Sequence, residues 1–400
     1  MTTTELSIWV RMKSIMDFIK PEFITSLRGR GHTNPDGYIG ETGGDQIFAK
    51  WMQSPKPLLK NRFQRPIGMT PRRGRMRRAL VVLIFSVVAV SFAQAQTIEM
   101  KLAHYAAEDH PGSIAGKMFA EGVEKRTQGK IKIALYPDNA LGSPPAVLEQ
   151  SIRGSVDMAL PTQGQLGLHI KKFNCVMLPF IFDSYAHADK VVDGSFVAWV
   201  VPDLEKIGLV FLANWEWGFR NLTNSKRAVN TPSDVRGLMV RTPPGLPYRA
   251  AMEALGAVVA TVDFTDLQKA LREGVIDAEE NPVAVIYSNR IFDIHKHLAM
   301  TGHNYNSMVH VINKAVWNKL TAEQQNILRE ESVAAGTWMR RAVRDAEAEQ
   351  IEKMKQAGLQ VTYPDRAKFK TLMGSAYSRL NAAAGEENIK EFVRMVEAAK

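Results

Sequence analysis

Residues 97–136 read TIEMKLAHYAAEDHPGSIAGKMFAEGVEKRTQGKIKIALY. Apolar and polar residues alternate at the two ends of this stretch, over 97–104 and 130–136, as they do in strands with one buried face. Between the two ends, apolar residues recur over 113–128 with the spacing of an amphipathic helix. The stretch is therefore predicted to form a strand, a helix and a second strand.

The same succession of elements continues toward the C-terminus. Further strands are predicted at 156–160, 209–213, 237–241, 258–262, 275–278 and 307–313. Helices are predicted at 148–153, 248–255 and 266–272. Strands that alternate with helices in this way are typical of an α/β fold with a largely parallel sheet.

A long helix is predicted near the C-terminus. Thr321 and Gln324 form a capping-box pattern, and helix-favouring sequence then continues to Gln356, shortly before Gly358. A helix of about 30 residues is about 45 Å long, which is more than one small domain requires. We therefore expect this helix to lie across two domains.

The positive charge of the chain is concentrated at its N-terminus. The 400 residues have a formal net charge of +10, but residues 1–95 alone contain 15 Lys and Arg against 6 Asp and Glu. The remaining residues contain 36 basic and 35 acidic side chains and are almost neutral. Nucleic acid is therefore not an expected partner.

Residues 76–95 have the organisation of a secretory signal peptide. A basic cluster at 72–78 precedes the apolar stretch 79–92, which ends at Ala93-Gln94-Ala95. Because a membrane-spanning helix needs about 18 or more apolar residues, a membrane anchor is the less favoured alternative. We expect cleavage after Ala95 and a periplasmic mature protein that is not inserted in the membrane.

Residues 1–75 have no periodic apolar face and are predicted to be disordered. A signal peptide normally begins a chain, so the true translation start is expected at Met69 or Met76. The single cysteine, Cys175, allows no internal disulfide and is expected to be a buried, inert thiol.

Several common catalytic motifs are absent from the sequence. It contains no G-x-G-x-x-G after a strand, no phosphate-binding G-x-x-x-x-G-K-[ST] and no G-x-S-x-G. We therefore expect no cofactor and no metal site. If the protein were an enzyme, its general base would come from a few side chains, namely Glu108, His110, Glu279 and Glu280.

Three ordered motifs resemble one known family. They are WEWGFRNLTNS at 215–225, TPSDVRGLMVRTP at 231–243 and LREGVIDAEENP at 271–282. They are similar to motifs of the solute-binding proteins of tripartite ATP-independent periplasmic (TRAP) transporters, in the dicarboxylate-binding-protein family. The resemblance covers the chain from residue 97 to about residue 395.

The resemblance implies a two-lobed periplasmic-binding-protein fold of the α/β class, with a hinge, a central cleft and a long helix that crosses both lobes. Lobe I would consist of residues 96–217 plus 307–346. Lobe II would consist of residues 218–306 plus 347–400. The helix that begins after Thr321 would be the crossing helix.

The resemblance also implies the residues of the binding site. Arg241 would bind the ligand carboxylate, and its planar guanidinium suits this role because it can bond both oxygens and remains charged. Arg220 would be a second arginine in the cleft, Asn281 an amide that bonds the carboxylate, and Phe264 an apolar wall. From the residues alone, Arg220 could instead pair with Glu216 at the surface.

One departure from the family bears on the ligand. Sialic-acid binders of this family carry a glutamate after a strand where this chain has Thr162, so a polyhydroxylated sugar acid is the less expected ligand. Aromatic residues are expected to line a pocket for a compact or aromatic carboxylate instead. These are Tyr105, Trp215, Trp217 and Tyr305.

We therefore expect a solute-binding protein that captures a small organic carboxylate, such as a dicarboxylate, an oxo acid or an aromatic acid. Its partners would be this ligand and the TRAP transporter membrane subunits. Two alternatives remain open at this point: a periplasmic enzyme acting on an organic acid, and a binding module of a sensor or an ATP-driven importer.

Overall fold

A computed structural model describes residues 97–400. The predicted signal peptide and the segment before it lie outside the described residues. The strands are β1 Ile98–Ala103, β2 Ile131–Tyr136, β3 Met158–Ala159, β4 Leu209–Asn224, β5 Met239–Thr242, β6 Val258–Thr261, β7 Ala278–Asn281, β8 His297–Asn313 and β9 Gln360–Thr362.

The helices alternate with these strands through most of the described chain. They are α1 Pro111–Arg126, α2 Pro144–Arg153, α3 Gln163–Leu166, α4 Phe173–Val176, α5 Tyr185–Val192, α6 Ser195–Lys206, α7 Leu246–Ala254, α8 Phe264–Arg272, α9 Val283–Ser288, α10 Lys314–Trp317, α11 Ala322–Gln356, α12 Arg366–Lys370, α13 Gly374–Ala384 and α14 Glu386–Ala398. The α/β class and the opening strand, helix and strand are confirmed.

The strands form one mixed sheet with the order β2-β1-β3-β8-β4-β7-β5-β6, and β9 pairs with β8. Pairing is parallel between β1 and its two neighbours and between β5 and its two neighbours. At the centre, β8 is antiparallel to both β3 and β4, and β4 is antiparallel to β7. The prediction of a largely parallel sheet is therefore wrong for the centre of the sheet.

The two long strands β4 and β8, of 16 and 17 residues, connect the two halves of the sheet. The C-terminal part of β8 pairs with β3 in the first half, and the C-terminal part of β4 pairs with β7 in the second half. The sequence predicted only the apolar ends of these strands, 209–213 and 307–313. Their other parts carry Asn, Glu, Arg and His, which hide the pattern of a strand.

The predicted long helix is confirmed as α11, of 35 residues. Its capping box is formed, because the backbone N–H of Gln324 donates to Oγ1 of Thr321 at 3.2 Å and the side chain of Gln324 accepts from the N–H of Thr321 at 2.9 Å. The helix contacts α1 and β4 as well as α9 and β9. It therefore spans both halves of the sheet, as the prediction of a crossing helix requires.

An ion-pair network fixes the middle of α11 to β4. Nε of Arg344 donates to the buried carboxylate of Glu216 at 2.8 Å, and the same guanidinium bonds both oxygens of Asp189 on α5 at 2.7 Å. The pairing of β4 with β8 shifts its register between Glu216 and Gly218, directly after this ion pair. The long helix is thus held beside the irregular part of the crossing strands.

The C-terminal helix α14 packs on the first half of the molecule. Phe392, Met395 and Val396 share a buried cluster with Phe173 and Phe196. The predicted boundaries placed 347–400 in lobe II, whereas this helix packs with elements assigned to lobe I. An amphipathic pattern reveals which face of a helix is buried but not which core it joins, so the sequence could not show this.

We predict that Gly336 in α11 cannot be replaced without loss of stability. A Cβ at this position would lie 2.7 Å from Cδ1 of Trp215 and 2.9 Å from the carbonyl oxygen of Asn214. Gly336→Ala should therefore lower the free energy of unfolding by about 1–3 kcal/mol, although alanine is the better helix former. Urea unfolding measures this difference.

Gly374→Ala is the control for this substitution. Gly374 begins α13, and a Cβ there would meet no atom within 4 Å. This variant should be as stable as the wild type or up to about 1 kcal/mol more stable. Equal effects of the two substitutions would contradict the proposed close packing at Gly336.

Candidate ligand-binding site

A cavity lies at the carboxyl ends of the strands in both halves of the sheet. Ligands of α/β proteins commonly bind at this edge. The lining residues are Tyr105, Pro144, Pro145, Thr162, Gln165, Trp217, Arg220, Arg241, Pro243, Pro244, Tyr248, Asp263, Phe264 and Asn281. The space that protein atoms leave between them is about 350 Å³, part of which is open to solvent.

The strands position the lining side chains directly. Tyr105 follows β1, Thr162 follows β3, Arg241 lies in β5, and Asn281 is the last residue of β7. Asp263 and Phe264 follow β6, at the beginning of α8. The crossing strand β4 contributes Trp217 and Arg220. Because both halves of the sheet supply residues, a ligand in this cavity would contact both.

Arg241 is a buried cation that forms no salt bridge within residues 97–400. Its side chain is fully buried, and its Nε donates to the carbonyl oxygen of Val262 at 2.8 Å. Its Nη2 has no hydrogen-bond partner within residues 97–400. Burial lowers the pKa of Arg241 to about 10, against the opposing effect of nearby carboxyl groups, so the guanidinium is still charged at neutral pH.

Arg220 is also buried, but its charge is neutralised. Its Nη2 donates to Oε1 of Glu280 at 2.8 Å, and its Nε bonds the other carboxylate oxygen. Burial alone would lower the pKa of Arg220, but the carboxylate of Glu280 outweighs this effect and raises it. Nε2 of His303 lies 3.2 Å from Glu280, and the Arg220 guanidinium lies 4.8 Å from the centre of the Tyr248 ring. The alternative of a surface pair between Arg220 and Glu216 is therefore wrong.

Glu279 lies beside Asn281 and is held mainly by neutral groups. Oγ1 of Thr223 donates to one oxygen of Glu279 at 3.0 Å, and the side-chain amide of Asn281 donates to the other. Burial raises the pKa of Glu279 to about 7, although Arg241 acts in the opposite direction. Asn281 therefore lies in the cavity wall but already uses one of its amide hydrogens within the protein.

Three aromatic rings form one wall of the cavity. The ring centres of Tyr105 and Trp217 are 4.9 Å apart, and those of Tyr105 and Phe264 are 5.7 Å apart, both in edge-to-face arrangements. The Phe264 ring centre also lies 6.0 Å from the guanidinium carbon of Arg241. This wall limits access of water to the arginine and thereby strengthens its interaction with an anion.

Thr162 and Tyr248 form a contact between the two halves. The hydroxyl oxygens of Thr162, after β3, and Tyr248, on α7, are 3.3 Å apart. The side-chain amide of Asn306 also donates to the Tyr248 hydroxyl, at 3.1 Å. Gly164 on α3 lies so close to Tyr248 that a Cβ there would overlap the phenol ring. The cleft is therefore narrow at this point.

Two of the predicted site residues lie outside the cavity. Trp215 is in the core, where its Nε1 donates to the carbonyl oxygen of Ser332 at 3.0 Å. It lies two residues before Trp217, which corresponds to about 7 Å along a strand. Tyr305 packs against Phe182 in the other core, with 5.6 Å between the ring centres. Its neighbour Asn306 points toward the site, so Tyr305 faces the opposite side of β8.

The remaining seven predicted site residues lie together in the cavity wall. Their roles in binding stay a prediction. Sequence reasoning missed Gln165, Tyr248 and Asp263 and the prolines of the lining. For Asp263 a signal existed, because it immediately follows a predicted strand and precedes Phe264 at the edge of the sheet where α/β proteins bind ligands.

Two sheet halves joined by long shared strands, a helix across both and a cavity between them define a two-lobed periplasmic binding protein. Within this class the chain belongs to the bacterial extracellular solute-binding proteins, family 7, to which residues 102–383 match. The earlier resemblance to TRAP transporter solute-binding proteins is thereby confirmed.

Individual relatives show the same likeness over most of their length. The 2,3-diketo-L-gulonate-binding periplasmic protein of Escherichia coli is 32% identical over 295 residues, which are 74% of this chain and 90% of that protein. The sialic acid-binding periplasmic protein of Vibrio cholerae is 30% identical over 282 residues, 70% of this chain and 88% of the other. A TRAP periplasmic solute-binding protein from a Polaromonas species, in a crystal structure with D-erythronate, has a TM-score of 0.71 and 31% identity, with 74% and 98% of the two chains covered.

Within residues 97–400, no helix combines the length and the apolar character needed to cross a membrane.

We predict opposite effects on stability for the two buried arginines. Arg220→Met leaves Glu280 buried without its counter-ion and should lower the free energy of unfolding by about 3–5 kcal/mol. Arg241→Met removes a buried cation that forms no salt bridge within residues 97–400 and should leave the stability of the ligand-free protein unchanged or raise it. Denaturant unfolding of both variants measures the contrast. A large loss of stability in Arg241→Met would contradict it.

We also predict that Glu279 contributes to the pH dependence of stability. Its pKa is about 7 in the folded protein against an ordinary value of 4.5, so its favourable contribution is present below pH 4.5 and is lost as the pH rises toward 7. Glu279→Gln should therefore show a flatter decline of the free energy of unfolding between these two pH values. Denaturant titrations across this range test the prediction, with Glu273→Gln at an exposed site as the control.

Proposed function

We propose that this protein captures a small organic carboxylate in the periplasm and delivers it to the membrane subunits of a TRAP transporter. The ligand would lie in the cavity between the two halves of the sheet. The observation that carries the proposal is Arg241, a fully buried guanidinium with an unpartnered nitrogen in the cavity wall. A buried cation without a counter-ion is costly, and a carboxylate offsets that cost by a two-pronged, charge-assisted bond.

The relatives support an acid as the ligand. Those that bind 2,3-diketo-L-gulonate, sialic acid and D-erythronate share at least 30% identity with this chain, and each of these ligands carries a carboxylate. The cleft is narrow where Thr162 meets Tyr248, which favours an acid of few carbon atoms. Tyr105, Trp217 and Phe264 would enclose its carbon skeleton, and Asn281 would add a polar contact.

The proposed mechanism is closure of the two lobes on the ligand. Arg241 and Asn281 come from one half of the sheet, and Tyr105 and Thr162 from the other. An anion that contacts both sets stabilises the closed arrangement, in which Thr162 also meets Tyr248. The membrane subunits would then recognise the closed form. We propose the lobe boundaries given in the sequence analysis, with α14 moved to lobe I because it packs there.

We further propose that the ligand is bound without chemical change. The family is one of binding proteins. Of the candidate bases, Glu280 is engaged by Arg220 and His303, and Glu279 by Thr223 and Asn281.

We also propose that export uses the signal peptide at 76–95 with cleavage after Ala95.

We predict that ligand affinity depends on the guanidinium of Arg241. A thermal-shift screen of small organic acids identifies a ligand, since ligand at 100 times its dissociation constant adds about 2.7 kcal/mol to stability. Arg241→Met should then weaken binding by about two to four orders of magnitude in calorimetry, because it removes a charge-assisted pair worth about 3–5 kcal/mol. Arg241→Lys should bind with intermediate affinity because it keeps the positive charge but cannot bond both carboxylate oxygens in the bidentate geometry of a guanidinium.

The control is Arg249→Met, at an exposed site on α7 next to the lining residue Tyr248. It should bind the ligand as the wild type does. Ligand recovered after incubation should be chemically unaltered by mass spectrometry. Unchanged affinity of Arg241→Met, or conversion of the ligand, would refute the proposed function.

A further inference from the structure

The polar atoms that the cavity leaves without partners define what the ligand must offer. Nη2 of Arg241 and the hydroxyl of Tyr105 can both donate hydrogen bonds, and both are buried without a partner in the described part of the chain. Oδ1 of Asp263 is buried and unpartnered in the same way, but it can only accept. All three residues line the cavity. A ligand that satisfies them carries both an anionic acceptor and a hydrogen-bond donor.

Asp263 lies beside Arg241. The guanidinium donates to the carbonyl oxygen of Val262 and lies 6.0 Å from the Phe264 ring centre, and Asp263 is between these two residues in the chain. Asp263 is also the N-cap residue of α8, but its side chain makes no capping hydrogen bond. Its carboxylate is therefore not used by the helix and remains available at the cavity.

The charges of the cavity suit a ligand with one carboxylate. The cationic side chains among the lining residues are Arg220 and Arg241, and Arg220 is already paired with Glu280. A second ligand carboxylate would find no unpaired cation in the lining. It would also approach the carboxylate of Asp263, and like charges in a partly buried site repel strongly.

We infer that the ligand is a hydroxy monocarboxylate and that Asp263 selects it against dicarboxylates. The ligand carboxylate bonds Arg241 and Tyr105, and a ligand hydroxyl donates to Asp263. This inference rests on the proposed function and narrows its ligand class. It also changes the expectation drawn from Thr162, because Asp263 provides a hydroxyl-binding group at a different point of the wall.

Matched pairs of acids test the inference. D-Erythronate and meso-tartrate differ only in whether the last carbon is a hydroxymethyl group or a carboxylate, and so do D-galactonate and galactarate. In calorimetry at pH 7.5, the wild type should bind a monocarboxylate roughly tenfold or more tighter than its dicarboxylate partner. Butyrate, which lacks the hydroxyl groups, should bind roughly tenfold more weakly than D-erythronate.

Asp263→Asn should reduce the preference for the monocarboxylate by about tenfold, because the repulsion of the second carboxylate is removed. Asp266→Asn makes the same charge change at an exposed position of α8 and should keep the wild-type preference. Circular dichroism establishes that both variants are folded.

Two results would overturn the inference alone: a wild type that binds the dicarboxylates as tightly as the monocarboxylates, with binding lost in Arg241→Met, or an Asp263→Asn variant with the wild-type preference. If the wild type binds no acid of either series, and none from a wider screen, the proposed function fails together with the inference.

Discussion

The antiparallel pairing of β4 with β8 is the constraint on which the rest of the molecule depends. These two strands belong to both halves of the sheet, so neither half can move without bending them. Their register is interrupted between Glu216 and Gly218 and again between Arg220 and Leu222. The cavity lies beside these interruptions, because Trp217 and Arg220 are in its wall. Irregular strand pairing and the cavity wall therefore coincide in the same short stretch.

The two buried arginines differ in how their charge is satisfied, and the proposed function gives a binding role to the one without a salt bridge in the described residues. Arg220 has its charge satisfied within the protein, by Glu280, and acts as part of a fixed wall. Arg241 forms no salt bridge within residues 97–400, and under the proposed function a ligand carboxylate would offset the cost of its burial. Asp263 lies beside Arg241, and its Oδ1 is buried without a hydrogen-bond partner in the described part of the chain. The cavity is thus electrostatically incomplete in a way that a ligand of the right charge pattern completes.

The sequence predicted the α/β class, the long crossing helix and seven of the residues that meet in the cavity wall. It succeeded where local patterns report directly on structure, as at the capping box of Thr321, or where family motifs include the residue, as at Arg241. It failed where the answer depends on tertiary packing. Trp215 and Tyr305 were expected at the site, but the distance along β4 and the face of β8 place them in two cores. Asp263 was missed although its position directly after a predicted strand was a signal, and only the structure shows that its Oδ1 has no hydrogen-bond partner in the described residues.

The close approach of Gly164 to Tyr248 has a consequence for the working cycle of the protein. Because the phenol ring fills the space that any side chain at position 164 would need, the proposed closure of the two lobes requires a glycine there. A larger residue at position 164 would clash with Tyr248 and hold the two lobes apart. Under the proposed function, such a variant would still bind the ligand through Arg241 but would not present the closed form to the membrane subunits. Ligand binding would then be retained while uptake is lost.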